Sequence, residues 1–249
     1  MIIGSHDSGT ALAKNKCMCI CWPWAQTQKI SLSDQFELGV RLFDLRYKMV
    51  NGVAYITHTF TTSYTVEDAL QELIECAIVA NEYIYIRMKR DSSSSGIPMF
   101  GTILQNITIH DINIQNYIIE YDGATVWQFM KKQPTDRRYI VLYSDNNTLL
   151  EDRVPSSWIF PQLFDTLETW DCGNMDDAIQ RIHMMKFHNN GLPKAIFVDF
   201  SGLMPPEIAF DLVWEQVEDV IIRHIMRGEI NCVMINHICP DIINELRYI

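Results

Sequence analysis

Short apolar runs rich in β-branched and aromatic residues recur at Met1 to Ser5, Leu42 to Tyr47, Ala54 to Thr57, Tyr83 to Met88, Tyr139 to Tyr143, Ala195 to Phe200 and Cys232 to Ile238. Each reads as a buried strand. Between them the apolar positions fall into helical spacing. Over Val66 to Ala80, residues Ala69, Leu70, Leu73, Ile74 and Ala77 line one face, and Thr65 with Asp68 forms a capping box ahead of it. A second helix is predicted over Pro206 to Arg227. Alternation of strand and helix implies a parallel sheet, either open and doubly wound or closed into a barrel. No Gly-x-Gly-x-x-Gly and no phosphate-binding loop follows a strand, which favours the barrel. The expectation is α/β: a single, irregular (β/α) TIM-type barrel over residues 1–249, with an eighth strand not placed. The serine run within Asp91 to Gly96 reads as a loop.

Composition narrows the function. A chain of 249 residues, 48% hydrophobic and 20% charged, suits one domain with a full core. A formal net charge of -11, without clustered Lys and Arg, argues against nucleic acid as a partner. It would also repel an anionic lipid surface, so membrane contact would have to come from a local apolar patch and a locally basic site. No apolar run approaches the ~20 residues that span a bilayer, and the chain enters Met1-Ile2-Ile3 without a signal peptide. Seven cysteines is an odd number, and Cys17, Cys19 and Cys21 stand too close together to staple distant segments. Reduced thiols in the cytoplasm are therefore expected, with peripheral membrane association open. The Cys-x-Cys-x-Cys run admits zinc or a loop of partly buried thiols, and no second Cys or His pair stands nearby at zinc-site spacing.

In a β/α barrel the chemistry sits at the carboxyl ends of the strands. The first predicted strand ends at Ser5-His6-Asp7, the second carries Asp44 and Arg46, the third runs into His58 and the fourth ends at Lys89. Later strands bring Ser144 and Asp145, then Asp199, then Asn236 beside His237. Two histidines and an arginine suit phosphodiester cleavage. One neutral imidazole can take a proton from the attacking hydroxyl while an imidazolium protonates the leaving oxygen. The fork of Arg46 matches a phosphate and never loses its proton. Asp7 or Asp44 could orient a histidine. Blander readings stand beside these: Arg46 and Asp44 as a structural ion pair, Asp7 as a cap, either histidine as an ordinary strand-end residue. His110, His183, His188 and His224 fall in helix or loop stretches, and without a Gly-x-Ser-x-Gly elbow His6 is favoured over Ser5.

The run Ile3-Gly4-Ser5-His6-Asp7-Ser8-Gly9-Thr10 resembles the opening motif of the phosphatidylinositol-specific phospholipase C X domain. Trp24-Ala25-Gln26-Thr27-Gln28, Gln35, Gly39 through Arg46, Thr57-His58 and Val66-Glu67-Asp68 agree in order, and weaker likeness extends to Asn231–Ile238. The resemblance is to bacterial enzymes and X-domain-only proteins. It implies His6 as general base, His58 as general acid and Arg46 as the phosphate-stabilising cation, with Asp7 and Asp44 in support. Lys89, Asp199 and Asn236 would bind substrate, and Trp22 and Trp24 would either meet the membrane or pack beneath their loop. The calcium-dependent branch has carboxylates where Arg46 and Lys89 stand, so the resemblance implies no metal and no cofactor. The implied reaction is attack by the inositol 2-hydroxyl on phosphorus, giving diacylglycerol and a cyclic inositol phosphate. Two departures bear on substrate: Asn236 replaces an Asp, and Ser144-Asp145 replaces an inositol-contacting arginine. The alternatives are a metal-dependent barrel phosphodiesterase and a catalytically weak lipid- or phosphate-binding protein on the same barrel.

Overall fold

The computed structural model describes residues 1–11, 26–58, 60–91, 100–123, 126–130, 132–134, 136–144, 146–169, 172, 174–188, 190–198 and 206–248. In chain order the elements are β1 (Ile2–Ser5), α1 (Leu32–Glu37), β2 (Val40–Val50), β3 (Val53–His58), β4 (Phe60–Thr65), α2 (Val66–Ala80) and β5 (Ile84–Arg90). They continue with α3 (Phe100–Asn106), a small hairpin of β6 (Thr108–Ile109) and β7 (Ile112–Asn113), β8 (Ile140–Tyr143), α4 (Thr148–Glu151) and β9 (Asp165–Glu168). The last are α5 (Met175–His183), β10 (Lys194–Val198), α6 (Pro206–Met226), β11 (Cys232–Ile235) and α7 (Pro240–Arg247).

The parallel strands follow the order β8-β5-β2-β1-β11-β10-β9. Phe160 adds a one-residue parallel bridge to Tyr143 on the far side of β8. Alternate residues face inward, so Ile2, Leu42, Tyr85, Val141, Phe160, Ala195, Phe197, Cys232 and Met234 form one inner core. The residues between them, among them Phe43, Leu45, Ile86, Ile196, Val198, Val233 and Ile235, pack outward beneath the helices. Burial on both faces is why the strands read as continuous apolar runs. The result is a (β/α) barrel of TIM type, made irregular because, among the described residues, no ladder joins Phe160 to β9.

Two expectations change. The run Ala54 to Thr57 is not a barrel stave. It belongs to β3, which folds back antiparallel on β2 with Val50 opposite Val53. Asn51 (φ 50°) and Gly52 (φ 82°) make the two-residue, left-handed turn whose twist matches such a hairpin. The stave that the sequence reading could not place is β9, whose Asp-Thr-Leu-Glu carries too few apolar residues to show as a strand. Helix α2 has the expected capping box, Thr65 Oγ1 accepting from Asp68 N at 3.1 Å and Asp68 Oδ2 from Thr65 N at 3.1 Å. Among the described residues no helix is long and apolar enough to cross a membrane.

Candidate active site

Along the inward-facing rows the side chains turn from apolar to charged toward the carboxyl ends. Leu42 is followed by Asp44 and Arg46, Tyr85 by Arg87 and Lys89, and the β2–β5 register sets Asp44 beside Arg87 and Arg46 beside Lys89. Strand β1 delivers His6 and Asp7 in the turn beyond Ser5, where His6 N donates to Ile235 O at 3.0 Å. Asp7 is left-handed (φ 46°, ψ 48°), a conformation that a non-glycine residue keeps only when its surroundings hold it.

On the backbone side the turn is held by buried, uncharged groups. Ser8 Oγ donates to Ser5 O at 2.6 Å and accepts from Asp44 N at 3.0 Å, tying the turn to β2. Gln28 Nε2 donates to His6 O (3.0 Å) and Ile235 O (3.2 Å), and Gln28 Oε1 accepts from Ile238 N (3.0 Å). Gln35 Nε2 donates to Ser8 O at 3.0 Å, and Thr27 Oγ1 lies 3.0 Å from Asp7 O. Gly9 is required where the turn meets β3, since a Cβ there would lie 2.8 Å from Ile56 Cγ2.

The turn and the hairpin together put both imidazoles on one carboxylate. Asp7 Oδ2 lies 3.3 Å from His6 Nδ1 and 3.2 Å from His58 Nε2, while Asp7 Oδ1 is 2.7 Å from Arg46 Nε. Arg46 Nη2 reaches His6 Nε2 at 3.0 Å, and Asp44 Oδ2 stands 3.3 Å from that same nitrogen. Asp7 and Asp44 are buried; Arg46 and His58 are partly exposed, with side chains 27% and 18% accessible. Burial alone would raise the Asp7 pKa, but Arg46, His58, His6 and Arg87 outweigh it and bring it down to about 2. The site therefore holds a carboxylate that stays charged at any physiological pH.

His6, Asp7 and Asp44 each offer a ligand atom, all within 4.8 Å of one another, which is a small metal-type cluster. The same carboxylates, however, already face guanidinium groups, Arg46 at 2.7 Å and Arg87 at 3.7 Å. Two fixed cations there are poor neighbours for a divalent ion, and the donor set suits arginine better than calcium.

The architecture places these groups at the mouth of an irregular barrel, and its match to solved structures is close. The phosphatidylinositol-specific phospholipase C from Listeria monocytogenes superposes with a TM-score of 0.69 at 20% identity, over 98% of this chain and 90% of that one. This chain has the fold of the bacterial phosphatidylinositol-specific phospholipases C. The Staphylococcus aureus phosphatidylinositol-specific phospholipase C gives 0.66 at 18% identity, over 98% and 91%. No family model matches the sequence, and no curated protein matches it.

On this phospholipase fold the sequence-predicted residues His6, Asp7, Asp44, Arg46 and His58 converge, and Lys89 stands next to Arg46 in register. Asn236 is buried directly after β11. Ser144 lies outside the cluster, its hydroxyl donating to Asn146 Oδ1 at 3.2 Å. Asp199, Trp22 and Trp24 lie outside the described residues, as do Asp145, Cys17, Cys19 and Cys21. His110, His188 and His224 pair with Glu75, Asp165 and Glu229, and His237 with Asp211. Sequence reasoning missed Arg87 and Glu168, which pair at 2.9 Å in the barrel mouth. An arginine inside the apolar run of β5 was the signal for the first; Glu168 had none, its strand being unrecognised.

Proposed function

We propose that the protein cleaves the phosphodiester of phosphatidylinositol or a related phospholipid, without a metal ion, by paired histidine acid–base catalysis. One observation carries the reading: a single carboxylate oxygen, Asp7 Oδ2, within 3.3 Å of both imidazoles, with Arg46 across its other oxygen. The bacterial fold supports it, and the Staphylococcus aureus neighbour, described for its membrane binding, supports a substrate presented at a lipid surface.

The protonation states follow from donor chemistry. A guanidinium only donates, so His6 Nε2, 3.0 Å from Arg46 Nη2, accepts, and the ring carries its proton on Nδ1 toward Asp7. In this reading Arg46 turns its fork to the phosphate oxygens when substrate arrives and uncovers Nε2. Nε2 takes the proton of the inositol 2-hydroxyl as that oxygen bonds to phosphorus. Asp44 Oδ2 lies 3.3 Å from Nε2, so the imidazolium forms beside a waiting charge. His58, its Nε2 3.2 Å from Asp7 Oδ2, is the acid in this reading: its imidazolium form gives its other proton to the diacylglycerol oxygen as the phosphorus–oxygen bond breaks. The products are diacylglycerol and a cyclic inositol phosphate. Water then opens the cycle with the two histidines exchanging roles.

The test is turnover of phosphatidylinositol in mixed micelles with excess EDTA, comparing the native chain with His6→Ala and His58→Ala. Activity in chelator that both substitutions reduce by ~10²-fold or more is expected. A folded native chain that binds the micelles without turnover points to a lipid-binding role instead, and activity that needs added calcium or magnesium overturns the role given to Arg46.

A further inference from the structure

The barrel mouth holds one charged pair that the mechanism leaves unused. Arg87 Nη2 donates to Glu168 Oε1 on β9 at 2.9 Å, its Nη1 lies 3.7 Å from Asp44 Oδ2 on β2, and its Cζ stands 4.9 Å from the centre of the Phe197 ring on β10. The Arg87 side chain is only 6% accessible, against 27% for Arg46. A guanidinium clamped from three strands at that depth cannot turn to a phosphate without abandoning Glu168 in a partly buried position. Arg46 can. The two arginines therefore divide the work, one toward substrate and one toward the protein.

What Arg87 faces is Asp44, a fully buried carboxylate 3.3 Å from His6 Nε2. A carboxylate at that depth is costly without a facing cation, and the Arg87 guanidinium faces this one from β5. We propose that Arg87, anchored by Glu168, is a positioning residue for the acid–base machinery: it holds the Asp44 carboxylate beside His6 Nε2 and does not touch the substrate. This deepens the phosphodiesterase reading and rests on His6 as the base.

The groups around Asp44 fix the sign of the expected effect. His6 faces it from the β1 turn and Arg87 from β5, Arg46 follows on its own strand, and Asp7 and His58 lie beyond His6. Removing the Arg87 cation raises the proton affinity of the His6–Asp44 pair whichever member takes the proton. The working state, neutral imidazole beside ionised carboxylate, is then lost at higher pH.

The experiment compares native protein with Arg87→Gln, Arg87→Lys and Glu168→Gln in two readouts: the pH profile of kcat/KM on phosphatidylinositol micelles, and NMR titration of the His6 ring, assigned through His6→Gln. In Arg87→Gln the acid limb and the His6 titration both move up by about one pH unit, close to tenfold in rate on that limb. Arg87→Lys restores most of the shift because it restores the charge. Glu168→Gln lowers kcat several-fold with KM within about twofold, since the anchor is lost and no substrate contact is. Superimposable profiles and titrations in folded Arg87→Gln overturn the proposal, as does a loss confined to KM, which would make Arg87 or Glu168 a substrate ligand. If Arg87→Gln does not fold, Glu168→Gln carries the test: unchanged kcat in that variant overturns the proposal. The NMR titration needs no turnover, so an inactive native chain sinks the phosphodiesterase reading while the Arg87–Asp44–His6 linkage is still decided.

Discussion

Arg46 Nε and Asp7 Oδ1 meet at 2.7 Å, and that one contact joins the turn after β1 to the inner face of β2. Asp7 is wholly buried, yet its pKa falls to about 2 from the ordinary 3.8. A depressed carboxylate adds stability above its unfolded pKa and loses it as pH falls through the folded value. The window here is about pH 4 down to pH 2, and the size is about 2 kcal/mol. Urea unfolding at several pH values is expected to show native protein losing that margin over Asp7→Asn as the pH drops from 5 to 2. A constant difference between the two would mean that Asp7 is not held charged by its neighbours.

Activity responds to the same residue by a different route. Asp7→Asn keeps the shape but gives up the charge that both imidazoles share through Oδ2. The expected loss in kcat is ~10²-fold or more. Steady-state rates on micellar phosphatidylinositol across pH 5 to 8 check this, and a loss appearing only in KM would contradict it.

Arg46→Lys separates charge from geometry. A lysine keeps one positive charge but cannot contact Asp7 through Nε and His6 through Nη2 together, as Arg46 does at 2.7 and 3.0 Å. A fall of ~10²-fold in kcat/KM is expected, of the size seen when one oriented donor is removed from a reacting centre. A variant within threefold of native would show that only the charge at this position matters.

How far the sequence could carry this picture depended on what kind of signal each residue leaves. His6, Asp7, Asp44 and Arg46 were legible because polar residues at the ends of apolar runs stand out, and the alternation of Asp44 with Arg46 puts both on one strand face. The helix start at Thr65 was legible for the same local reason. Pairing partners are not local. Nothing in Ala54 to Thr57 says antiparallel, although Asn51-Gly52 before it is a hairpin turn signal. Arg87 sits inside an apolar run with no local sign of its role, because its anchor, Glu168, is far off in sequence on a strand too polar to notice. Gln28 was seen as a motif residue, but its reach to β11 appears only in three dimensions.

Gln28 is accordingly predicted to be structural rather than chemical. Its amide serves His6 O, Ile235 O and Ile238 N, all buried. Gln28→Leu leaves Ile238 N without this partner and takes one of two donors from each carbonyl, His6 O keeping Thr27 Oγ1 and Ile235 O keeping His6 N, so a cost of about 1 to 3 kcal/mol is expected. Denaturant unfolding reads the loss, and Gln28→Glu should recover less than half of it because a carboxylate cannot donate to the two carbonyls.

Gly9 gives the sharpest test that the turn after β1 positions His58 as well as His6. A Cβ at Gly9 would come within 2.8 Å of Ile56 Cγ2, and Ile56 lies two residues before His58 on β3. That separation is shorter than carbon atoms accept, so Gly9→Ala has to push the hairpin outward, at about 1 to 3 kcal/mol. The displacement acts on the one strand that carries the second histidine. The expected outcome is a fall in kcat larger than the stability loss alone explains in a still-folded protein. Ile56→Ala removes Cγ2 itself, so Gly9→Ala with Ile56→Ala should lose less stability than the two single variants summed and regain part of the rate, while Ile56→Ala alone costs about 2 to 4 kcal/mol. Additive losses in the double variant would mean that the clash is relieved elsewhere and that the turn and the hairpin are not coupled through this contact.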